Sequence, residues 1–234
     1  MRLWSNSISK FVGDVPEIIS DISSVTLTHH HLGHIDGLGL FGREVMGKPG
    51  KSIRLVSGKA VIDMLEKKSV LGPFKPEIIS NGSKVNIGKG VNLEFSRVPH
   101  RECEHGETYG IIIRGKHRSL FFLPDHDSYE ATLKFHNKSS IREWLESLSV
   151  DIVFLDGTFF TIEEIAVRRI DSKGIPHPPI LESLSLLGEK RNDDPDIIFT
   201  HLNHTNSVLN SKMSRLTIEK LGWKVGQQGE VFTL

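Results

Sequence analysis

Four β-rich runs in this 234-residue chain end on a residue of the type that ligates metal ions. Val25-Thr26-Leu27-Thr28 runs directly into a cluster that reads His29-x-His31-x-Gly33-His34. Phe95-Ser96-Arg97-Val98-Pro99 leads to His100, Phe121-Phe122-Leu123-Pro124 to Asp125, and Ile197-Ile198-Phe199-Thr200 to His201. β-Branched and aromatic residues favour extended backbone, so each run predicts a strand. Such strands build a site only if they lie in register, with their ligand-bearing ends on one rim. The pattern therefore constrains fold and chemistry together.

Hydrophobic periodicity says how the strands are connected. After the first strand, Ile35, Leu38, Phe41 and Val45 recur at spacings of three and four and predict a helix from His34 to Met46. A strand over Ile53 to Val56 and a helix over Ala60 to Lys67 complete a βαβα opening. The period then changes to two. Ser83 to Val98 reads as a hairpin turning at Gly88 and Gly90, and Tyr109 to Ile113 with Ser119 to Leu123 reads as a second. Further on come a helix over Ile141 to Leu148, a buried strand over Ile152 to Leu155, a helix over Ile180 to Leu187 and the strand that precedes His201. A helix carrying Met213, Leu216, Ile218 and Leu221, then a short strand ending in Val231 and Phe232, close the chain. Parallel βα units mixed with antiparallel hairpins predict an α/β (α+β) class. The architecture would be two sheets with helices outside them, a four-layer αββα sandwich in a single domain over residues 1–234. Residues 137–140, 168–179 and 189–196 are the expected flexible segments.

The twelve histidines are the conspicuous compositional feature. His29 and His31 follow the strand two residues apart, and His34 starts the next helix, so a tight turn can aim all three imidazoles into one cavity. Imidazole nitrogen is the usual protein ligand for zinc and suits iron or manganese less selectively. The expectation is Zn2+, as one or two ions, with Mn or Fe as alternatives. A run of histidines also suits a solvated polar turn; the strand ends at His100, Asp125 and His201 weigh against that. A net charge of zero and a pI near 7.2 give no basic field for gathering nucleic acid, so the expected partner is a small molecule. The single cysteine, Cys103, excludes an internal disulfide and reads as an ordinary loop thiol. The opening residues lack a secretory pattern and no run approaches the length of a membrane span, so the expected location is cytoplasmic, with a homodimer left open.

His29-x-His31-x-Gly33-His34 after a strand resembles the H-x-H-x-D-H hallmark of the metallo-β-lactamase fold hydrolases. Several further segments resemble one branch of that superfamily, the proteins similar to coenzyme PQQ synthesis protein B. They are Phe41-Gly42-Arg43-Glu44-Val45-Met46-Gly47, Val98-Pro99-His100-Arg101, Leu155-Asp156-Gly157-Thr158-Phe159, Ile175-Pro176-His177-Pro178 and His201-Leu202-Asn203-His204-Thr205-Asn206. The resemblance runs from about Ile22 to the C-terminus. It implies that His29, His31 and His100 hold a first metal. His34, Asp125 and His201 would hold a second, Asp125 bridging both, while His30 and Leu32 point away. Such ions lower the pKa of bound water to about 7, which makes hydroxide the implied nucleophile. By analogy with the phosphodiesterase branches, Asp125, Asp156 and His177 are the implied catalytic residues, with His177 as general acid and Asp156 as its orienting partner. Asp156 also suits a turn before Gly157, and His177 a packed site between prolines. His204 and Asn203 are implied contacts to substrate or to the ligands; His204 equally suits a solvent-facing loop.

Two positions depart from the pattern. Gly33 stands where the family has an aspartate ligand of the second metal, which makes a single metal credible; Asp36 or Asp127 are the candidates to compensate. Only 28 residues precede His29, so part of the first sheet is expected to be missing. The functional expectation is a metal-dependent hydrolase of a small phosphodiester, ester or lactone. The alternatives are a non-catalytic or weakly active metal-binding relative of the fold, a tRNA 3′-processing-like phosphodiesterase, and an iron oxidoreductase.

Overall fold

Residues 21–42, 52–101, 107–166 and 176–234 are described by the structure, a computed structural model. β1 (Ser24–Thr26), β2 (Ile53–Gly58) and β3 (Phe74–Ile79) form a small parallel sheet in the order β1-β2-β3. Between β1 and β2 lie α1 (Leu32–Ile35) and a 3-10 segment, Asp36–Phe41, and between β2 and β3 lies α2 (Lys59–Lys67). Periodicity predicts one helix from His34 to Met46. Instead a single α-turn gives way to 3-10 geometry at a stretch holding Gly37, Gly39 and Gly42, each of which weakens a helix interior. The rest of that predicted helix, residues 43–46, lies outside the described residues. Its apolar stripe is used as expected: Ile35, Leu38 and Phe41 are buried, and the Phe41 ring meets Phe74 at 5.3 Å. β3 escapes sequence reading because Lys75-Pro76-Glu77 interrupts it. Pro76 is tolerated there, opposite Leu55, because β3 is an edge strand of the described sheet.

The second sheet has seven strands. β4 (Lys84–Gly88), β5 (Val91–Val98), β6 (Thr108–Arg114) and β7 (Ser119–Leu123) pair antiparallel in sequence order. β8 (Ile152–Asp156), β9 (Asp196–Thr200) and β10 (Lys224–Val225) add in parallel to β7. The connections carry α3 (Tyr129–Phe135), α4 (Ile141–Leu148), α5 (Glu163–Ala166), α6 (Ile180–Leu187) and α7 (Lys212–Lys220). Ser128, Ser140 and Ser211 cap α3, α4 and α7 by accepting backbone N–H bonds.

Alternation along the strands sorts side chains into the layers. Ile111, Ile113, Leu120 and Phe122 face the small sheet together with Phe95, in one cluster with Val56 of β2. Ile112, Phe121 and Leu123 face the opposite way, onto Trp144, Leu145, Ile180 and Leu184 of α4 and α6. Ile53 and Leu55 pack outward against Val61, Ile62 and Leu65 of α2. The result is the four-layer αββα sandwich that the pattern predicts. Nothing in the described residues bears on the expected shortening of the first sheet, because residues 1–20 lie outside them.

Two expectations change. The chain does not end in a strand: the last one is β10, followed by Gly226 and by Gly229 at φ +87°, after which Val231 is exposed. Phe232 packs its ring on Phe154 at 5.2 Å, and Leu234 lies against Gly115. The segment 189–196 is also well tied. Arg142 grips Asp194 with two bonds of 2.8 and 3.0 Å and donates to the carbonyls of Leu187 and Glu189. Among the described residues no helix is long and apolar enough to cross a membrane.

Strand direction places the site. β5 and β7 are each antiparallel to β6, so they run the same way, and β8 and β9 are parallel to β7. The C-terminal ends of β5, β7, β8 and β9 therefore share one rim. His100, Asp125, Asp156 and His201 stand at those ends. The loop after β1 joins them through Tyr109 N–H, which donates to the Thr28 carbonyl at 3.0 Å.

Candidate metal centre

His29 is 1% exposed, which places an imidazole fully inside the rim. Its Nδ1 meets Thr28 Oγ1 at 3.0 Å, so its Nε2 is the nitrogen that faces the cluster. That Nε2 lies 2.9 Å from His31 Nδ1, which in turn lies 3.3 Å from His100 Nε2. Zinc–nitrogen bonds of about 2.0–2.1 Å in a tetrahedron set neighbouring nitrogens about 3.3 Å apart. The three donors are thus spaced as ligands of one ion.

Burial keeps these rings uncharged. Desolvation, and then the neighbouring imidazoles, hold His29 far below the ordinary imidazole value. Burial, with His201 and His31 nearby, lowers His34 to about 3; burial, with His177 and His31, lowers His100 to about 3. Neutral imidazole is the ligating form.

Asp125 is 2% exposed and points two oxygens into the same space. Its Oδ2 is buried and has no hydrogen-bond partner among the described residues, although His34 Nε2 is 3.1 Å away off the bonding direction. Burial and the negative Asp156 push its pKa up to about 7. A buried carboxylate oxygen without a donor is costly, and a cation removes the cost. The donor set of neutral imidazoles around an unsatisfied carboxylate fits a divalent transition metal.

Asp156 and His177 form the second part. His177 Nδ1 donates to Asp156 Oδ2 at 2.7 Å, and Asp125 Oδ1 is 3.5 Å from the same nitrogen. Burial opposes a charge on His177, yet the bond to Asp156 and the two carboxylate charges outweigh it, so its pKa stands above the ordinary value. Asp156 is lowered: burial works against the anion, but His177 overcomes it by bond and by charge. His177 follows Pro176, and its φ of +87° is in the left-handed region. His201, at φ +58°, has the same strain.

Among the described residues four triples of donor atoms converge within 4.8 Å: His29, His31 and His100; His29, His34 and Asp125; His100, Asp125 and His177; Asp156, His177 and His201. The first is the set that the resemblance implies for one metal. The set implied for a second, His34, Asp125 and His201, is not among them. His201 Nδ1 is 3.8 Å from Asp125 Oδ1 but 2.9 Å from Thr158 Oγ1, and the rings of His34 and His201 are 5.0 Å apart.

Neither candidate compensates for Gly33. Asp36 is exposed, and Asp127 lies behind His100, 3.7 Å from its Nδ1, while accepting the Arg101 N–H at 2.6 Å. Leu32 points away as expected, 55% exposed. His204 is exposed. Asn203 ties its loop, with its N–H donating to the Thr158 carbonyl and its Nδ2 to Thr205 Oγ1. Cys103 lies outside the described residues.

Sequence reading singles out neither Thr158 nor Thr28 nor His126. Asp156-Gly157-Thr158 does carry a signal, since aspartate commonly caps the backbone two residues on; Asp156 Oδ1 accepts the Thr158 N–H at 3.0 Å. His126 is fully buried, its Nδ1 meets Thr132 Oγ1 at 3.0 Å, and its carbonyl accepts the His177 N–H at 3.1 Å. No residue type or spacing marks it in advance.

Comparison with known proteins bears on the family and the fold. The family described as the Beta-lactamase superfamily domain matches residues 10–202. Coenzyme PQQ synthesis protein B of Rhizobium meliloti (strain 1021) is 24% identical over 241 residues, covering 90% of this chain and 71% of that one. Among solved structures, zinc-bound PqqB of Methylobacterium extorquens superposes with a TM-score of 0.68 at 20% identity, over 91% of this chain and 73% of that one. An isothiocyanate hydrolase from Delia radicum gut bacteria gives a TM-score of 0.62 at 16% identity, over 94% and 79%.

Proposed function

This chain belongs to the β-lactamase superfamily, and from that premise we propose that it is a metal-dependent hydrolase of a small phosphodiester, ester or lactone. The observation that carries the proposal is the convergence of His29, His31 and His100 beside the unsatisfied Asp125 oxygen, with His177 bonded to Asp156 on the same rim. His29, His31 and His100 would hold an ion, with Asp125 closing the set. Zinc suits those ligands best, and the zinc-bound relative supports that choice. When bound, such an ion polarises a substrate oxygen and lowers the pKa of water towards about 7.

The chain's own residues supply the proton chemistry. His177 gives Nδ1–H to Asp156, so its Nε2 is the nitrogen left for a leaving group. Its pKa stands above the ordinary imidazole value, so the ring holds that proton to higher pH than an ordinary histidine does. Cleavage leaves an alkoxide or similar oxygen; the Nε2 proton moves to that oxygen, and the neutral ring stays bonded to Asp156. Asp156 accepts throughout and holds the ring in one orientation. A chain without net charge suits a small substrate better than a polyanion.

One observation favours a second reading, a metal-binding relative with weak catalysis: Gly33 supplies no carboxylate, and the second implied ligand set does not converge. A joint experiment separates the two. Metal analysis of protein purified without added metal is combined with a screen of nitrophenyl phosphodiesters, esters and lactones. The expected result is bound transition metal and turnover of at least one class. Metal without turnover supports the second reading, and neither metal nor turnover after zinc, manganese or iron is supplied sinks both.

A further inference from the structure

Thr158 lies two residues past Asp156, is 7% exposed, and places its hydroxyl between three functional side chains. Its Oγ1 is 2.7 Å from Asp156 Oδ1, 2.9 Å from His201 Nδ1 and 3.3 Å from His177 Nδ1. Counting protons assigns each bond. A carboxylate has none to give, so the hydroxyl proton goes to Asp156 Oδ1, which also accepts the Thr158 N–H. The hydroxyl oxygen is left as an acceptor. His201 Nδ1, at 2.9 Å and facing that oxygen, must therefore carry a hydrogen and donate it. His177 Nδ1 is likewise a donor, to Asp156 Oδ2.

We propose that Thr158 is the positioning residue of His201: its hydroxyl, oriented by Asp156, holds His201 in the Nδ1–H tautomer and leaves the Nε2 lone pair for a metal ion. One Asp–Thr unit then orients two histidines, His177 directly and His201 through the hydroxyl. Hydrogen-bonded partners of this kind fix ring orientation, and their loss costs about 10–100-fold in metal affinity.

The backbone around Thr158 is tied to the loop that carries His201. Asn206, with no exposed surface, donates from Nδ2 to the Gly157 carbonyl at 2.7 Å and the Thr158 carbonyl at 3.3 Å. Gly157 N–H donates to the Thr200 carbonyl at 2.8 Å, and Asn203 N–H to the Thr158 carbonyl at 3.1 Å. Hydroxyl and imidazole are thus presented to each other by two loops that cannot slide independently. His201 in the left-handed region needs such support.

This inference rests on the proposed metal site and extends it by one donor, His201, whose ring stands 5.0 Å from that of His34; the tautomer itself can be read without metal. The experiment compares wild type, Thr158→Val and Thr158→Ser. Valine keeps the branched shape without the hydroxyl, and serine keeps the hydroxyl. In 15N-histidine-labelled metal-free protein at pH 8, ring-nitrogen spectra read each tautomer, with the His201 signal identified by its loss in His201→Gln. The expected result is Nδ1–H for His201 in wild type and Thr158→Ser, and the ordinary mixture dominated by Nε2–H in Thr158→Val. Zinc competition against a chelator should show affinity within about twofold of wild type for Thr158→Ser and a loss of about tenfold or more for Thr158→Val. Nε2–H in wild-type His201 overturns the proposal, as does a Thr158→Ser protein that behaves like Thr158→Val. If wild type binds no zinc, the metal reading fails while the tautomer spectra still decide the role of Thr158. If Thr158→Val does not fold, the wild-type and serine spectra decide it alone.

Discussion

His177 Nδ1 lies 2.7 Å from Asp156 Oδ2, and the backbone that delivers the ring is left-handed, φ +87°, at a residue with a side chain. Such a conformation costs about 1–3 kcal/mol and persists only where its surroundings impose it. Here the His177 N–H is fixed on the His126 carbonyl and Asp156 holds the ring. The pair gives a pH prediction whose sign follows from its charges. The negative Asp156 favours the imidazolium, so the acid form of His177 outlasts that of an ordinary histidine as pH rises. Asp156→Asn removes that charge and leaves burial, which disfavours the imidazolium, unopposed. The basic limb of the pH–rate profile should then move to lower pH, and turnover at neutral pH should fall by about 100-fold or more. A basic limb that stays in place would show that His177 is not the acid.

Loss of a ligand and loss of the acid should look different. His31 Nδ1 stands between His29 Nε2 and His100 Nε2, at 2.9 and 3.3 Å, so His31→Ala opens the centre of the triple. Bound metal and turnover should disappear together. His177→Ala should keep metal within about twofold while losing about 100-fold or more in turnover. Metal analysis beside initial rates makes the comparison. Equal metal loss in both variants would make His177 a ligand, a role its place with His100 and Asp125 also permits.

Gly33 offers a gain-of-function test. A Cβ built there meets no atom within 4 Å, and the residue is exposed, so a carboxylate can be installed without displacing anything. Gly33→Asp should leave stability within about 0.5 kcal/mol. Its metal-to-protein ratio should rise from about one towards about two when metal is supplied in excess. An unchanged ratio would show that the missing aspartate is not what limits the second site.

Much of the fold was legible because strand and helix periods follow directly from which faces are buried. The Ser83 to Val98 alternation becomes β4 and β5, and the run before Asp125 becomes β7, as the pattern requires. β3 was not legible, because Pro76 is acceptable only at a sheet edge and edges are tertiary facts. The C-terminal residues misled for a related reason: Val231 and Phe232 have strand chemistry, but Phe232 is used as a plug against Phe154. Within the site, strand ends alone pointed to His29, His100, Asp125 and His201, while Asp156 and His177 were named only through the resemblance. Thr158 and His126 could not be named, since a hydroxyl or imidazole acquires its role from what it faces.

The last prediction tests how closely the ends of β8 and β9 must approach for the site to form. A Cβ at Gly157 would lie 2.8 Å from the Thr200 carbonyl oxygen, 3.1 Å from Phe199 Cβ and 3.2 Å from Leu202 Cδ2. The first of these is backbone and cannot swing aside, so Gly157→Ala must push the two strand ends apart. Overpacking of this kind costs about 1–3 kcal/mol, to be read from urea unfolding. The displaced atoms are the neighbours of Thr158 on one side and His201 on the other, so the 2.9 Å bond between them should lengthen and zinc affinity should fall in the same variant. Gly33→Ala, which meets nothing, is the matched control and should change neither quantity beyond about 0.5 kcal/mol. Lost stability with unchanged zinc affinity in Gly157→Ala would mean that the spacing of the strand ends supports the fold without setting the site.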